Sequence, residues 1–433
     1  MVDDLAAVVA PPYDVIGPEQ HRRLLKRDPR NVVRLDLPAE EPGDPEDERY
    51  RRAARTLNAW RLDGTLRRDP RPALYPYEQT YRVPGTDREA TRRGIFARVG
   101  LEPFGPSSGI RAHERTLAGA REDRYRLLRA TSVNTSPVVG LTEDGTGVVP
   151  DWIRAVIGGS PGPVADIVDD AGVRHRLWLA PLGEDPDRDT AIAAVRERLE
   201  ANAITLADGH HRYETALRFA EERRRGPAVE AAPAWADILM LLLEPVEGPL
   251  TVLPTHRVVL GLGPDEVDRL VARLPELFDV EIGVDRERLL GELGDGPGAR
   301  GGAGRFGLWT RHGGAILHAR RDAFGPWLPP GGDALRRLDV TLASVAIEHL
   351  AGIDPAAVAE GRVAFTMDAA EAIAWVEAGA TPAASTPASV ALLLDPTPAS
   401  EIVAVAADGD VMPQKSTYIY PKALTGLVIN PLE

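Results

Sequence analysis

One stretch, "ITLADGHHRYETALRFAEERRR" at residues 203–224, restricts the fold more than any other part of this sequence. Its apolar start ends at Asp208, and Gly209 follows immediately. Glycine permits a left-handed backbone or a close approach to a ligand, and aspartate suits a turn because its carboxylate accepts backbone N–H groups. Tyr213 and Ala216 then begin an apolar pattern with helical spacing. The stretch therefore predicts a buried strand, a tight turn and an amphipathic helix.

Three adjacent side chains, His210, His211 and Arg212, stand where the predicted helix begins. The N-terminus of a helix attracts anions through its unpaired N–H groups and its dipole, and an arginine adds a fork of donors. We predict that this turn forms a small electropositive pocket. Two alternatives stay open: the histidines cap the helix and pair with nearby carboxylates, or Asp208, both histidines and Glu214 bind a metal. Adjacent histidines cannot face the same way on a helix, which disfavours the metal.

The overall composition of the chain excludes several classes of protein. Its 433 residues carry a net charge of −14, and the sequence pI is about 5.3, so no general attraction to nucleic acid or anionic lipid is expected. The absence of cysteine excludes disulfides, cysteine-ligated metals and thiol nucleophiles. No apolar run approaches the roughly 18–20 residues of a membrane span, and the first residues lack the pattern of an export signal. We expect a cytoplasmic protein without nucleic-acid or membrane partners, and a homo-oligomer stays open.

Strand and helix patterns alternate along the chain, which predicts mixed α/β layers of the α+β class. The continuous apolar run "ADILMLLLEP" predicts a strand buried on both faces, and the patterns at 6–9 and 31–38 predict further strands. We divide the chain into an N-terminal α/β region at 1–110, a core at 111–245 with an insertion at about 141–202, and a C-terminal α/β region at 246–433, whose tail we expect to pack back on the core.

Eight blocks are spread along the chain: "APPYDVI", "NVVRLDLP", "YPYEQTY", "HERT", "ADGHHRYETAL", "LPTHRVV", "FTMD" and "MPQKSTYIYPKALTGLVINPL". Together they resemble the DUF1015 family. That family is similar in turn to the ParB/sulfiredoxin-like superfamily, in which a Gly-x-x-Arg or Gly-x-His-Arg turn at a helix N-terminus holds nucleotide phosphates. The order of "HE", helix, proline-bearing strand and "DGHxR" resembles the free L-serine kinases of that superfamily. The resemblance implies a ParB/sulfiredoxin-like catalytic core, from which the insertion and the C-terminal region depart.

The resemblance also implies roles for individual residues. Glu114 of "HERT" matches the catalytic acid of the kinases, and residues 208–212 match their phosphate-binding turn, with ATP or ADP and Mg²⁺ as cofactors. Phosphoryl transfer needs a carboxylate that orients or deprotonates the attacking hydroxyl, and Glu114 beside His113 supplies one as a general base. Magnesium would bridge phosphate oxygens and contact Asp208 or Asp14.

Some of these residues admit a different interpretation, and other candidates are weaker. In "HERT", His113 or Thr116 could cap the following helix and leave Glu114 in solvent. In the tail block, Lys415 could contact a phosphate or a substrate carboxylate, or simply be an exposed lysine on a strand. The block "THRVV" at 255–259 is a further polar cluster. The remaining candidates are Asp14 in a rigid turn, Tyr77, Glu78 and Gln79 as pocket residues, and Asp368 as a helix cap.

The leading hypothesis is a small-molecule kinase that phosphorylates the hydroxyl of free L-serine or a similar hydroxy acid. One alternative is a ParB-like nucleotide-binding regulator, although neither a basic surface nor a helix-turn-helix is visible. Another is a metal-dependent hydrolase built on His113, His210 and His211. The sequence contains no Walker A motif and no G-x-S-x-G, which argues against a P-loop enzyme and an α/β-hydrolase serine.

Overall fold

The chain folds into mixed α+β layers, the class that the sequence predicts. The computed structural model describes residues 4–105, 108–114, 118–142, 145–159, 161–226, 232–244, 250–293, 304–382 and 384–433.

The strands are β1 (Ala73–Arg82), β2 (Glu89–Gly100), β3 (Ile110–Arg111), β4 (Val133–Asn134), β5 (Val138–Leu141), β6 (Ala165–Val168), β7 (Arg174–Leu177), β8 (Ala180–Pro181), β9 (Ile204–Asp208), β10 (Asp237–Leu243), β11 (Thr251–Leu253), β12 (His256–Leu260), β13 (Phe278–Val284), β14 (Arg305–Thr310), β15 (Gly313–Ala319), β16 (Val363–Thr366), β17 (Ala388–Leu394), β18 (Tyr418–Tyr420) and β19 (Asn430–Pro431).

The α-helices are α1 (Leu5–Val8), α2 (Pro18–Arg27), α3 (Val33–Asp36), α4 (Glu48–Leu62), α5 (Ala118–Thr131), α6 (Val148–Gly158), α7 (Pro186–Ala201), α8 (His210–Arg224), α9 (Pro264–Arg273), α10 (Arg286–Leu293), α11 (Arg321–Phe324), α12 (Asp333–Arg337), α13 (Asp339–Ala351), α14 (Pro355–Ala357), α15 (Ala369–Ala378) and α16 (Ala399–Ala407). Short 3₁₀ segments lie at Tyr13–Val15, Ala234–Ala236, Leu274–Glu276 and Gly325–Trp327, and a π-helical turn lies at Val358–Arg362.

A nine-stranded sheet dominates the first part of the described chain, in the order β3-β9-β5-β10-β2-β1-β7-β6 with β8 beside β1. Strand β10 is buried on both faces from its second residue onward, as its apolar run predicts, because it lies inside the sheet between β5 and β2. Strands β1 and β2 pair with each other and join β10 to β7, so residues from 1–110 and 111–245 share this one sheet.

A second, six-stranded antiparallel sheet has the order β13-β15-β14-β17-β12-β16. One hydrophobic cluster joins the two sheets, since Leu241 of β10, Val259 of β12 and Leu392 of β17 all belong to it. Helix α13 contributes nine buried residues and packs into the same cluster. Among the described residues no single helix is long and apolar enough to cross a membrane; α13 meets those criteria only jointly with Pro355–Arg362, to which it is bent by 105°.

Two predicted strands are helical in the structure, and in both a side chain before the helix accepts a backbone N–H group near its start. The pattern at 6–9 falls in α1, where Asp4 accepts a hydrogen bond from the backbone N–H of Ala6 at 3.0 Å. The pattern at 31–38 contains α3, where the Asn31 side chain accepts from the N–H of Val33 at 3.0 Å. A short apolar run fits a strand and a buried helix equally well, and these local hydrogen bonds decide for the helix.

The tail of the chain returns to the first part of the molecule. Strand β18 pairs antiparallel with β11, and β19 pairs with β4 next to the first sheet. The backbone N–H of Met412 donates to the carbonyl of His113 at 2.8 Å, and Glu114 forms a parallel bridge with Met412. These contacts place residues 412–422, which we call the tail segment, against the "HE" pair.

Candidate functional site

The predicted strand, turn and helix are all present at residues 204–224. Strand β9 ends at Asp208, Gly209 adopts the left-handed conformation with φ 89°, and α8 begins at His210. Tyr213 and Phe219 are among the buried residues that anchor α8, so the helix is held by its apolar face while its N-terminus lies at the turn. Within the described residues no side chain caps this N-terminus. An N-terminus of this kind can bind an anion through the N–H groups of its first turn.

The guanidinium of Arg212 is directed toward the turn itself. Its Nη2 donates to Asp208 Oδ2 at 2.5 Å, and its Nη1 donates to Ser136 Oγ at 2.8 Å and to the carbonyl of Pro137. A Cβ atom on residue 209 would lie 3.0 Å from Arg212 Nε, which explains the need for Gly209 independently of its φ angle. Arg212 therefore fastens the turn to the residues before β5.

Asp208 lies between two cations. Its second oxygen, Oδ1, accepts from Lys422 Nζ, and the Lys422 ammonium lies 4.5 Å from the centroid of the Tyr418 ring. Burial alone would raise the pKa of Asp208, but the charges of Lys422 and Arg212 outweigh it and hold that pKa well below its ordinary value. For the same reason Asp208 raises the pKa of Lys422 against the effect of burial. All three groups are thus ionised at neutral pH.

His113 belongs to the interior. Its Nδ1 donates to the carbonyl of Leu206 at 2.5 Å, and its Nε2 accepts from the hydroxyl of Thr417 at 3.2 Å. Its ring lies 4.7 Å from that of His210 in an edge-to-face arrangement. Burial lowers the pKa of His113 to about 4, so the ring is neutral. Because both nitrogens are occupied within the protein, the geometry gives His113 a positioning role rather than the catalytic contact that the sequence predicts.

His210 joins the "HE" pair to the turn. Its Nε2 accepts from the backbone N–H of His113 at 3.5 Å, and its side chain is buried. Burial, followed by the neighbouring His113, lowers its pKa well below the ordinary value. His211, next along α8, is half-buried, and burial lowers its pKa as well. Of the two histidines predicted to contact the phosphates, only His211 lies partly at the surface.

Glu114 has the environment expected of a base. Its Oε1 accepts from the backbone N–H of Lys415 at 3.1 Å. Burial raises its pKa, and this effect outweighs the opposing influence of the Lys415 N–H and ammonium. The charges of Asp208 and Lys422 also act on Glu114, so its carboxylate lies close to the turn. A carboxylate with a raised pKa holds a proton more readily, which suits acceptance of a proton from a hydroxyl.

The tail segment supplies the remaining groups of the site. Lys415 is exposed and adopts a left-handed backbone with φ 54°, a conformation that directs its N–H to Glu114. Thr417 holds the ring of His113, and Lys422 holds Asp208. The sequence alone gives no role to Thr417 or Lys422. Their signal was weak, since both occur within the tail block but stand more than two hundred residues from the groups that they bind.

The other predicted candidates take different positions. Asp14 is exposed, and its charge raises the pKa of both Arg212 and Lys422, so it lies at the rim of the site. Tyr77, Glu78 and Gln79 are buried rather than lining a pocket. Their partners are His175 for Tyr77 at 2.5 Å, Arg93 for Glu78 at 2.7 Å, and the carbonyl of Lys422 for Gln79 at 3.0 Å. Asp368 caps α15 as predicted, and Thr116 lies outside the described residues.

The predicted magnesium contact does not fit the arrangement. Both oxygens of Asp208 already accept from cationic donors, so a metal ion would have to compete with Arg212 and Lys422 for this carboxylate and would be repelled by their charges. Across the described ranges no group of three or more His, Cys, Asp or Glu residues could hold a metal ion. The metal-hydrolase alternative meets the same difficulty, because the ring nitrogens of His113 are both engaged.

A separate groove of about 1520 Å³ lies away from this site. It is lined by the start of β1, the end of β2 and residues 427–431 of the chain, and none of the predicted site residues borders it. Its arginines and carboxylates are partly paired with one another, as Arg98 is with Asp237 at 2.6 Å. The groove therefore adds nothing to the chemistry at Glu114.

Comparisons with known proteins identify a family and weak structural likenesses. The profile of the family described as "Protein of unknown function (DUF1015)" matches residues 2–341. No curated protein gives a significant match. A conserved hypothetical protein from Pyrococcus furiosus is 13% identical with a TM-score of 0.35, over 75% of this chain and 89% of its own. A free serine kinase in complex with AMP is 12% identical with a TM-score of 0.35, over 75% and 86%.

A third solved structure, SbnI with a C-terminal truncation from Staphylococcus aureus, is 10% identical with a TM-score of 0.36, over 76% of this chain and 85% of its own. Identities and TM-scores this low carry no argument about what the protein does.

Proposed function

Since the chain belongs to the DUF1015 family, whose description names no activity, we propose its function from the site: a nucleotide-dependent kinase that phosphorylates the hydroxyl of a small hydroxy acid. One observation carries the proposal. A carboxylate with a raised pKa, Glu114, lies beside the uncapped N-terminus of α8 and within reach of the charge of Lys422. Phosphoryl transfer to an alcohol requires a proton acceptor beside a phosphate-binding group. Glu114 and the N-terminus of α8 form such a pair.

The nucleotide phosphates bind at the N-terminus of α8. Arg212 donates hydrogen bonds to Asp208, Ser136 and Pro137, so it stabilises the turn and does not contact the phosphates directly. The phosphates then face the N–H groups of the first helical turn, together with His211 and the exposed Lys415. Lys422 adds positive charge to the site, because the single carboxylate of Asp208 cannot neutralise both Lys422 and Arg212.

Glu114 accepts the proton of the acceptor hydroxyl. The hydroxyl oxygen attacks the terminal phosphorus of ATP or ADP, a new O–P bond forms, and the bond from that phosphorus to the bridging oxygen breaks. The proton passes to the Glu114 carboxylate, and the shortened nucleotide leaves with the electron pair of the broken bond. The N–H of Lys415 orients the carboxylate, while His113 and Thr417 fix the segment that carries it.

The choice of acceptor, free L-serine or a similar hydroxy acid, comes from the motif resemblance. Because the residues present do not fit a resident Mg²⁺, no step is assigned to the metal, and it enters the assay as the counter-ion of the nucleotide.

The decisive experiment incubates the protein with ATP or ADP, Mg²⁺ and a panel of hydroxy amino acids, and follows phosphorylated product by ³¹P NMR. We expect Glu114→Gln to lower kcat by about 10²–10⁴-fold while nucleotide affinity changes little. Glu19→Gln, a matched substitution at an exposed carboxylate on α2, should retain full activity. Product formation that survives both Glu114→Gln and Arg212→Ala would reject the proposal, and nucleotide binding without product would favour the regulatory alternative.

The pH dependence gives a second test. Burial raises the pKa of Glu114, and the base must be ionised to accept a proton, so kcat falls as the pH drops through that raised pKa. The acidic limb of the kcat profile should therefore lie above the ordinary glutamate value of 4.5. A kcat that stays constant down to that value would show that Glu114 is not the base.

A further inference from the structure

Arg257 lies deep between the two sheets, in the block "THRVV" to which the proposed function assigns no role. It stands on β12 with Phe365 of β16 on one side and Leu392 of β17 on the other. Both neighbours, together with Val259 two positions further along β12, belong to the large hydrophobic cluster or pack against it. Arg257 itself is 2% exposed. Arg257 is thus a buried residue with apolar neighbours on both sides of its strand.

The hydrogen bonds of this arginine are incomplete. Its Nη1 donates to the carbonyl of Thr255 at 2.9 Å, and its guanidinium lies 6.0 Å from the centroid of the Phe365 ring. Its Nη2 is buried and finds no acceptor anywhere in the described parts of the chain. The hydroxyl of Thr255, also buried, is likewise without a partner there. Two donor groups at one position of the core are therefore unsatisfied.

The positive charge of Arg257 also lacks an opposing charge among the described residues. Burial lowers its pKa to about 10, and no charge among the described residues opposes that shift. A buried cation is normally retained only with a carboxylate or another anion, because its desolvation costs several kcal/mol. Arg212, by contrast, has Asp208. No side chain in the described part of the chain thus compensates the charge at residue 257.

We propose that Arg257 and Thr255 form a binding site for the carboxylate of a small organic acid with an apolar body. A carboxylate accepts from both Nη2 and the threonine hydroxyl, and the planar guanidinium matches its geometry. A phosphate fits less well, since a dianion would need more positive charge than one arginine offers. The apolar surroundings formed by Phe365, Leu392 and Val259 suit a hydrocarbon body.

This site is distinct from the one at Glu114. None of the charged groups there, Asp208 and Lys422 included, contributes to the pKa of Arg257. The inference therefore does not depend on the proposed kinase activity. The tail segment borders both regions, because Tyr418 pairs with Leu253, two residues before Thr255.

The test measures thermal unfolding of the extensively dialysed protein, alone and with L-lactate, isobutyrate or benzoate, each compared with its amide. The variants are Arg257→Met, Thr255→Val and a matched control, Arg269→Met, at an exposed position of α9. We expect at least one acid to raise the Tm of the wild type and of Arg269→Met in a concentration-dependent manner, while its amide does not. Thr255→Val should weaken this effect, and Arg257→Met should abolish it.

The ligand-free proteins give the complementary result. Without an anion, Arg257→Met should unfold at the wild-type temperature or above it, because a buried uncompensated charge is replaced by an apolar side chain of similar length. Circular dichroism confirms that the variant is folded. The proposal is overturned if no acid stabilises the wild type more than its amide does, or if Arg257→Met responds to the acid as the wild type does. Either result would leave Arg257 with a structural role only.

Discussion

Two buried arginines in this molecule are held in opposite ways. Arg212 donates to a carboxylate, a hydroxyl and a carbonyl, and its carboxylate partner Asp208 also binds Lys422. Arg257 has one carbonyl and an apolar surround. The first cation is part of a closed network that shapes a turn, whereas the second keeps binding capacity that the described protein groups do not use. Burial alone therefore does not distinguish a structural arginine from a ligand-binding one. The hydrogen-bond partners of the two guanidinium groups make the distinction.

The largest expected effect comes from opening the closed network. Asp208→Ala leaves Arg212 and Lys422 buried without their shared anion, so we expect a loss of about 3–5 kcal/mol in the free energy of unfolding. Urea denaturation at neutral pH measures it. The surface carboxylate Asp166, paired with Arg174, serves as the control, and its alanine variant should lose less than about 1 kcal/mol. Equal losses in the two variants would mean that Asp208 is not the centre of a buried network.

The next effect is a pH dependence of stability that both regions share. Each contains a histidine with a pKa that burial lowers to about 4, His113 beside the turn and His256 next to Arg257. The unfolded chain binds a proton near pH 6.5, whereas the folded chain does so only near pH 4. Stability is therefore lost as the pH falls from about 6.5 to about 4, by about 3 kcal/mol for each histidine. Urea denaturation over this range measures the loss.

Single substitutions then assign that loss. His113→Asn and His256→Asn should each flatten the dependence of the unfolding free energy on pH, by similar amounts. A steep dependence that persists in the double variant would show that other groups carry it.

A smaller effect tests the packing between Gly209 and Arg212. Alanine at position 209 must adopt φ 89° and places its Cβ 3.0 Å from Arg212 Nε. We expect a loss of about 1–2 kcal/mol in unfolding free energy. Gly291 is the control, because it lies inside α10 with open space around it and no positive φ, and alanine there should stabilise by about 0.5–1 kcal/mol. A neutral Gly209→Ala would contradict the close contact.

The smallest effect compares two threonines. Thr417→Val removes the donor to His113 Nε2 and should cost about 1 kcal/mol. Thr255→Val should be neutral or slightly stabilising in the ligand-free protein, since that hydroxyl has no acceptor among the described residues. Equilibrium unfolding of both variants provides the measurement. A costly Thr255→Val would indicate a protein partner for the hydroxyl and would weaken the contrast between the two regions.

The sequence predicts those parts of the structure that are determined by residues close together in the chain. The turn at Gly209 and the burial of β10 follow from neighbouring residues, and both predictions are confirmed. The strand predicted at 31–38 was wrong because the apolar pattern says nothing about the Asn31 side chain, which accepts the backbone N–H of Val33 at the start of α3. The contact between the "HE" pair and the turn could be proposed from the resemblance, and the structure brings His113 to His210.

Long-range partners could not be predicted in this way. Lys422 binds Asp208 across 214 positions, and no spacing or periodicity connects them. The same holds for Arg257, because the sequence marks its block only as a polar cluster and does not say which side chains will surround it. An arginine in a strand is ordinary, and only the structure shows that no carboxylate among the described residues compensates this one.

The tail segment has a consequence for how the protein is made. Glu114 and the turn at 208–212 leave the ribosome long before Lys415 and Lys422, which complete their surroundings. A nascent chain that stalls in the last strand-forming stretch would carry the carboxylate without the groups that orient it and balance its charges. Any activity of this pocket would accordingly report that translation has passed residue 422.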